Sequence, residues 1–336
     1  MKIGHVDLEK KVLIVAEIGN NHEGSFVVAQ ELVRQAAECG VDAVKFQTFR
    51  TEHYLSRAEG ARFQRLKQFE LTFGQFAELA RLARALGLLF LSTPFDLASA
   101  ALLEPLVDCY KIASGDNNFY PLLAQVALTG KPLLISTGAS DFRQVRQTVK
   151  FVQQQWQAHQ ISGQMVLLHC VSSYPVPVTQ ANLRSIRFLA ENFPWPVGYS
   201  DHTLELDASL LAVALGARVV EKHFTLDKNY SDFRDHRLAA DPLEMQELVR
   251  RIRQGEVMLG QAGKEVQECE APSVNLIRRS IAASRDLPGG HQISWEDLIW
   301  IRPAGGLTPG EEHTLVGKKL KRGVGMGELF LATDVE

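Results

Sequence analysis

The sequence predicts an α/β fold, a (β/α)8 barrel followed by a small, mostly β domain. Three observations carry this. From about residue 12 to 260, apolar β-rich segments alternate with amphipathic helical ones. The strand segments are near-continuous in apolar residues, as expected of a parallel sheet covered on both faces by helices. Eight such units in about 250 residues fit a closed barrel. An open, doubly wound sheet is the competing architecture, but no GxGxxG follows the first strand.

The strands expected are VLIVAEIG (12–19), AVKFQTF (43–49), LLFLSTPF (88–95), CYKIASG (109–115), PLLISTG (132–138), MVLLHCVSSYP (165–175), VGYSDHT (197–203) and VVEKHFTL (219–226). Each is followed by a helical pattern. FVVAQELVRQAAECG and FGQFAELARLARALG place apolar residues at helical spacing and stop at Gly40 and Gly87. LASAALLEPLV, after the third strand, is shorter. The later helices are PLLAQVALTG, FRQVRQTVKFVQQQW, ANLRSIRFLAEN, LDASLLAVALG and PLEMQELVRRIRQGEVMLG. The barrel is expected over 1–261, a polar linker over 262–275, and the second domain over 276–336, where Pro-Gly and Gly-Gly turns separate short β-like pieces. A domain of that size buries little core and is expected to lean on something larger.

Composition excludes several classes of function. The net charge of -3 points to neither nucleic acid nor an anionic membrane as main partner, so an anionic ligand has to be held by local cations. No run approaches the ~18 apolar residues of a membrane span. Cys39, Cys109, Cys170 and Cys269 form no CxxC pair and no zinc spacing, and MKIGHVDLEKK has no apolar signal core. A reduced, cytoplasmic chain is the expectation.

In a barrel enzyme the chemistry sits at the C-terminal ends of the strands. Polar residues collect late in every strand. They are Glu17, then Lys45, then Ser92 and Thr93, then Lys111, Ser114 and Asp116, then Ser136 and Thr137. The last three strands add His169, Ser172 and Tyr174, then Ser200, Asp201 and His202, then Glu221, Lys222 and His223. One reading is structural, with the lysines of three strands paired to Glu17, Asp116, Asp201 and Glu221. The other is an anion pocket, in which Lys45, Lys111 and hydroxyls from Thr93, Ser114, Ser136 and Ser200 hold a phosphate and a carboxylate. Phosphoenolpyruvate carries both groups on three carbons. His202 and His223 stand late on adjacent strands, where they either hydrogen-bond within the core or face one divalent cation. His22 and His169 are weaker candidates.

AEIGNNHEGS, DAVKFQT, LSTPFD, YKIASGD, ISTG, LHCVSSYP, GYSDHT and EKHFTLD occur in that order. Together they resemble the sialic acid synthases, including the legionaminic and pseudaminic acid synthases. RRSIAASRDLPGGHQISWEDLIWIRPAGG resembles that family's appended antifreeze-like (SAF) domain. The resemblance covers the chain from about residue 10 to its end. It implies a TIM barrel, phosphoenolpyruvate as donor, an N-acylated amino sugar as acceptor, a divalent metal (Mn2+ or Mg2+), and a homodimer in which one subunit's SAF domain covers the other's barrel. By motif it implies metal ligation by His202 and His223. It implies donor contacts from Lys45, Thr93, Lys111, Ser114, Ser136 and Ser200, and acceptor contacts from Glu17, Tyr174, Asp235 and Arg302. Asp116 or Glu221 would stabilise charge or deliver water.

There are three departures from the family pattern. Asp116 stands where the family carries glutamate, which shortens that carboxylate by one methylene. Ser172 stands where N-acetylneuraminate synthases often carry asparagine. NYSDFRDH stands where the family usually carries PGPDH. The last two touch the acceptor side, so the acceptor stays open between N-acetylmannosamine and a 2,4-diacetamido hexose. A phosphorylated aldose as acceptor and a non-catalytic sugar-binding relative are the competing functions.

Overall fold

The computed structural model describes residues 1–336. Eight parallel strands, one from each predicted segment, close a barrel in sequence order. They are β1 (Leu13–Gly19), β2 (Ala43–Thr48), β3 (Leu89–Pro94), β4 (Cys109–Ile112), β5 (Leu133–Ser136), β6 (Met165–Cys170), β7 (Val197–Asp201) and β8 (Val219–His223). Closure is the β8–β1 pairing, which runs in register from Val219↔Leu13 to His223↔Glu17. The main outer helices are α1 (Phe26–Glu38), α2 (Phe73–Ala85), α3 (Leu97–Leu103), α4 (Tyr120–Ala127), α5 (Phe142–Ala158), α6 (Arg184–Asn192), α7 (Asp207–Ala214) and α8 (Pro242–Leu259). Short polar side chains start several of them. Ser25 accepts from Val28 N, and Thr72–Gln75 and Asp241–Glu244 form reciprocal capping boxes.

Alternation along each strand splits the core in two. One set of residues, Leu13, Val15, Ala43, Leu89, Leu91, Cys109, Leu134, Val166, Leu168 and Val219, fills the barrel interior. Ile3, Val6 and Leu8 of a short N-terminal hairpin pack with it. The other set, with Ile14, Val44, Phe46, Phe90, Tyr110, Leu167 and Val220, packs under the helices. Phe46 is fully buried there, its ring 6.2 Å from Phe76 and 5.7 Å from Phe90, so truncation to alanine costs about 3–5 kcal/mol. No helix is long and apolar enough to cross a membrane.

Several strands end earlier than their apolar runs predict. β6 stops at Cys170, where Ser172, Ser173 and Pro175 begin a loop, and β8 stops at His223. Between β2 and α2 the chain forms a helix (Thr51–Tyr54), a 3-10 turn (Arg57–Glu59) and a second helix (Ala61–Phe69). The last of these buries only Phe63 and Phe69, so it has too narrow an apolar stripe to stand out in sequence.

The chain divides into two compact units, Met1–Gly260 and Gln261–Glu336. In the second, β9 (Ser280–Ala283) pairs antiparallel with β10 (Leu298–Ile301) over a core of Ile281, Leu287, Ile293, Leu298, Leu315, Leu320, Val324 and Phe330. Asp297 is buried beneath it and accepts from Arg285, His291 and the Ser294 amide. The polar stretch expected as linker contains a 3-10 turn (Glu268–Glu270) and runs into a helix (Ala271–Ile277) that buries no residue; Pro272 in its first turn favours that start.

Candidate active site

Continuing the interior row of each strand by steps of two leaves the hydrophobic layer and reaches polar residues. Val15 leads to Glu17, Ala43 to Lys45, Leu91 to Thr93, Cys109 to Lys111, Leu134 to Ser136, and Val219 to Glu221 and His223. A cavity of about 960 Å3 opens there. Of the residues singled out in the sequence, Glu17, Lys45, Thr93, Lys111, Ser114, Asp116, Ser136, Tyr174, Ser200, His202, Glu221, His223 and Asp235 all line it. Arg302 lies in the second unit, just after β10, and is exposed.

The floor is an ion network. Lys45 Nζ lies 2.9 Å from Glu17 Oε2 and 3.5 Å from Glu221 Oε2, and donates to Thr93 Oγ1 at 3.2 Å. Lys111 Nζ lies 3.6 Å from Glu221 Oε1, which also accepts from Ser200 Oγ at 2.9 Å. Gln47 Nε2 donates to Glu17 Oε1 at 3.1 Å. All four charged side chains are buried, and Ser136 Oγ is buried with no partner in the protein. The Gly138 amide donates to Ser114 Oγ at 3.1 Å, and a Cβ on Gly138 would meet Ser172 Oγ at 2.4 Å and Ser114 Oγ at 2.6 Å, so only glycine fits there.

Two carboxylates share these cations, and their environments separate them. Burial raises Glu17, Lys45 opposes this, and the charge of Glu221 adds to the rise. Burial also works against ionisation of Glu221, but Lys111, Lys45 and the Ser200 hydroxyl outweigh it and hold that carboxyl down at about 2. Burial disfavours the charge on Lys45, yet Glu17 and Glu221 prevail and raise it. Burial lowers Lys111, with Glu221 pulling the other way. Lys45 and Lys111 thus meet at Glu221, the carboxyl held most firmly in its charged form. Burial pushes Asp116 up to about 6 against the pull of Lys111.

At the β7–β8 edge the His202 and His223 rings lie 5.4 Å apart. His202 Nδ1 donates to the Val171 carbonyl at 2.9 Å, which leaves the Nε2 lone pair free. His223 Nδ1 is buried without a hydrogen-bond partner, 4.0 Å from Asp235 Oδ2, and burial lowers its pKa, which favours the neutral ring. Two imidazoles, each with a ring nitrogen that makes no hydrogen bond, are the donor type that suits a divalent cation. The structure assembles no cluster of three or more His, Cys, Asp or Glu side chains that could hold a metal ion by themselves.

Other polar strand residues face outward. Lys222 pairs with Asp201 Oδ2 at 3.1 Å and donates to the carbonyls of Thr203 and Glu205. The structural reading holds for that lysine. His169 bonds the Ala181 carbonyl through Nε2 and stacks on Tyr199. His22 takes the Gly24 amide on Nδ1 beside Phe46, and burial lowers it to about 4. Neither lines the cavity.

Sequence reasoning missed part of the wall. Tyr54, Arg62 and Arg65 come from the segment between β2 and α2, and Arg234 opens a short helix (Arg234–Leu238) after β8. The Arg234 guanidinium sits 4.5 Å over the Tyr174 ring, and its Nε donates to Asp235 Oδ1 at 3.1 Å. The available signal was length. The segment 49–72 is far longer than the ~2–6 residues of an ordinary βα loop, and it is rich in arginine.

A barrel whose strand ends bring buried lysines, carboxylates, an unpartnered hydroxyl and two imidazoles into one cavity has the make-up of an enzyme site. Residues 32–264 match the NeuB family and residues 278–336 match the SAF domain. The chain belongs to the NeuB family. It is 41% identical over 337 residues to the N,N'-diacetyllegionaminic acid synthase of Legionella pneumophila, covering 96% of this chain and 94% of that one. It is 33% identical over 322 residues to the human N-acetylneuraminate-9-phosphate synthase, covering 91% and 88%. The solved structure of the N-acetylneuraminic acid (sialic acid) synthetase of Leptospira borgpetersenii superposes with a TM-score of 0.74 at 30% identity, covering 82% of this chain and 94% of that one.

Proposed function

We propose that the protein is a nonulosonic acid synthase. It joins phosphoenolpyruvate to the open-chain aldehyde of an N-acylated amino hexose and releases phosphate by C–O cleavage. The observation that carries this reading is the convergence of Lys45, Lys111, Ser136, Ser200 and Thr93 on the floor of one cavity beside His202 and His223.

Lys45 and Lys111 hold the donor's phosphate and carboxylate, which fixes its C3 toward the acceptor. C3 of phosphoenolpyruvate attacks the aldehyde carbon, the carbonyl π bond opens and its oxygen takes up a proton to become a hydroxyl, and positive charge develops at C2. Glu221, firmly ionised among the lysines, stabilises that charge. Asp116, poised near 6, takes a proton from the water that adds to C2. The tetrahedral intermediate then loses phosphate into the lysine and hydroxyl cradle. Glu17, Tyr174 and Asp235 orient the acceptor hydroxyls. His202 and His223 would hold a divalent cation such as Mn2+ or Mg2+, which when bound would supply Lewis-acid polarisation of the aldehyde oxygen.

Ser172 on the cavity wall leaves room beside the acceptor, and the Legionella relative is an N,N'-diacetyllegionaminic acid synthase, so a 2,4-diacetamido hexose is the acceptor favoured here. The reading includes a homodimer in which Arg302, exposed on its own unit, reaches the acceptor's N-acyl group in the partner's barrel. It also places the protein in the cytoplasm, which four free cysteines support. The test is incubation with phosphoenolpyruvate, Mn2+ and a panel of 2-acetamido, 2,4-diacetamido and 6-phosphorylated hexoses. A product heavier than the acceptor by the pyruvate unit, with one phosphate released per product, is expected. Turnover only with phosphorylated acceptors reassigns the substrate, and no product with any acceptor defeats the proposal.

A further inference from the structure

The segment after β8, NYSDFRDH, is one of the departures from the family pattern, and it brings Arg234 and Asp235, the start of a short helix (Arg234–Leu238), to the cavity. What fixes it is a polar latch outside the cavity. Glu23, in the loop between β1 and α1, adopts φ +47, a backbone state unusual for a residue with a side chain. Its Oε1 accepts from the Ser231 hydroxyl and, at 3.1 Å, from His236 Nε2. His236 is fully buried, and its Nδ1 lies 2.7 Å from Thr225 Oγ1, at the base of the same loop. Ser231 Oγ in turn accepts from the Phe233 amide at 3.0 Å, which sets the turn leading into Arg234. Glu23, Ser231 and His236 do not line the cavity.

We infer that Glu23 and His236 are positioning residues for acceptor recognition: they clamp the β8 loop to the β1 loop and so hold Arg234 and Asp235 over the cavity. The geometry is specific to one side of the site. The latch touches the loop bearing Asp235 and Arg234, whereas Lys45, Lys111 and Ser136, the donor cradle, stand on β2, β4 and β5. One buried imidazole spans the loop, bonding its base through Thr225 and the neighbouring loop through Glu23. The inference rests on the synthase reading, because it needs an acceptor distinct from the donor.

The test is steady-state kinetics with each substrate varied in turn, on wild type and the variants Glu23→Ala, Glu23→Gln, His236→Ala and Ser231→Ala, with phosphate release as readout. Glu23→Ala and His236→Ala are expected to raise the acceptor KM at least tenfold while the donor KM stays within twofold. Their double variant should lose less than the product of the single losses, because both act through one contact. Glu23→Gln keeps an oxygen to accept both hydrogen bonds and is expected to recover at least half of the loss. Ser231→Ala, which removes one of the two, is expected to fall between wild type and Glu23→Ala. If an alanine variant unfolds, Ser231→Ala and Glu23→Gln decide the matter. Donor and acceptor KM rising together, or an acceptor KM unchanged in folded variants, overturns the latch. Absence of turnover in the wild type sinks the synthase reading instead.

Discussion

Replacing Lys111 by methionine asks whether this lysine holds substrate or only neutralises Glu221. The methionine keeps an unbranched chain and removes the charge. Lys111 is buried, with Nζ 3.6 Å from Glu221 Oε1 and in reach of the Ile112 carbonyl at 3.4 Å. In either case Glu221 is left with Lys45 at 3.5 Å as its cationic partner, so stability falls, by about 3–5 kcal/mol if the pair is fully broken. Only the substrate-holding role adds an effect on the donor. Loss of one charge-assisted hydrogen bond in a buried site is worth about 2–3 kcal/mol. At about 1.4 kcal/mol per factor of ten, that raises the donor KM roughly 30- to 150-fold. The assay is phosphate release against phosphoenolpyruvate at saturating acceptor, with thermal unfolding recorded in parallel. A folded variant whose donor KM stays within threefold of wild type refutes the anion cradle and leaves Lys111 as a structural counter-ion.

Three further outcomes are expected. His202→Ala and His223→Ala should each abolish turnover with unfolding curves close to wild type, and metal-stripped wild type should lose activity and regain it with Mn2+ or Mg2+; full turnover in chelator rejects the ligand role. Asp116 sits above the ordinary carboxylate range, so it is protonated below about pH 6 and kcat/KM should fall on that acid side. Its contribution to stability runs the opposite way, present below the unfolded carboxylate value and lost as pH rises through about 6. Asp116→Asn should remove both dependences, and a rate limb near 6 that survives in the variant belongs to the donor phosphate, which titrates in the same range. Arg302→Ala should raise the acceptor KM about tenfold, the loss of one charged hydrogen bond, with the donor KM unchanged; a wild-type acceptor KM counts against capping by the second unit.

The barrel was legible because its strands are buried on both faces and its helices carry broad apolar stripes. The site was legible for the same reason in reverse: Lys45, Lys111 and Glu221 are charges inside apolar runs, which only a function or a partner explains. Pattern alone treated Lys222 as the third lysine of the same end. Alternation settles the matter, since Lys222 is one residue out of phase with Glu221 and His223 and faces the helices with Asp201. Arg62, Arg65 and Tyr54 were not legible. They ride on short helices with few buried residues, whose direction depends on tertiary contacts such as Gly24, where a Cβ would stand 2.1 Å from the Gln68 carbonyl. Arg234 was hidden for a related reason, because a loop's path follows from hydrogen bonds between distant segments.

The Lys222–Asp201 pair has a consequence for the spacing of the two imidazoles. Lys222 is directly opposite Asp201 in the β7–β8 ladder, and each is the immediate chain neighbour of an imidazole-bearing residue, His223 and His202. The spacing of those two rings is thereby gauged from the reverse face of the sheet, by a contact that solvent and substrate never reach. Adjusting the distance between those rings need not begin inside the cavity; shortening or lengthening that hidden tie by one methylene is a subtler dial.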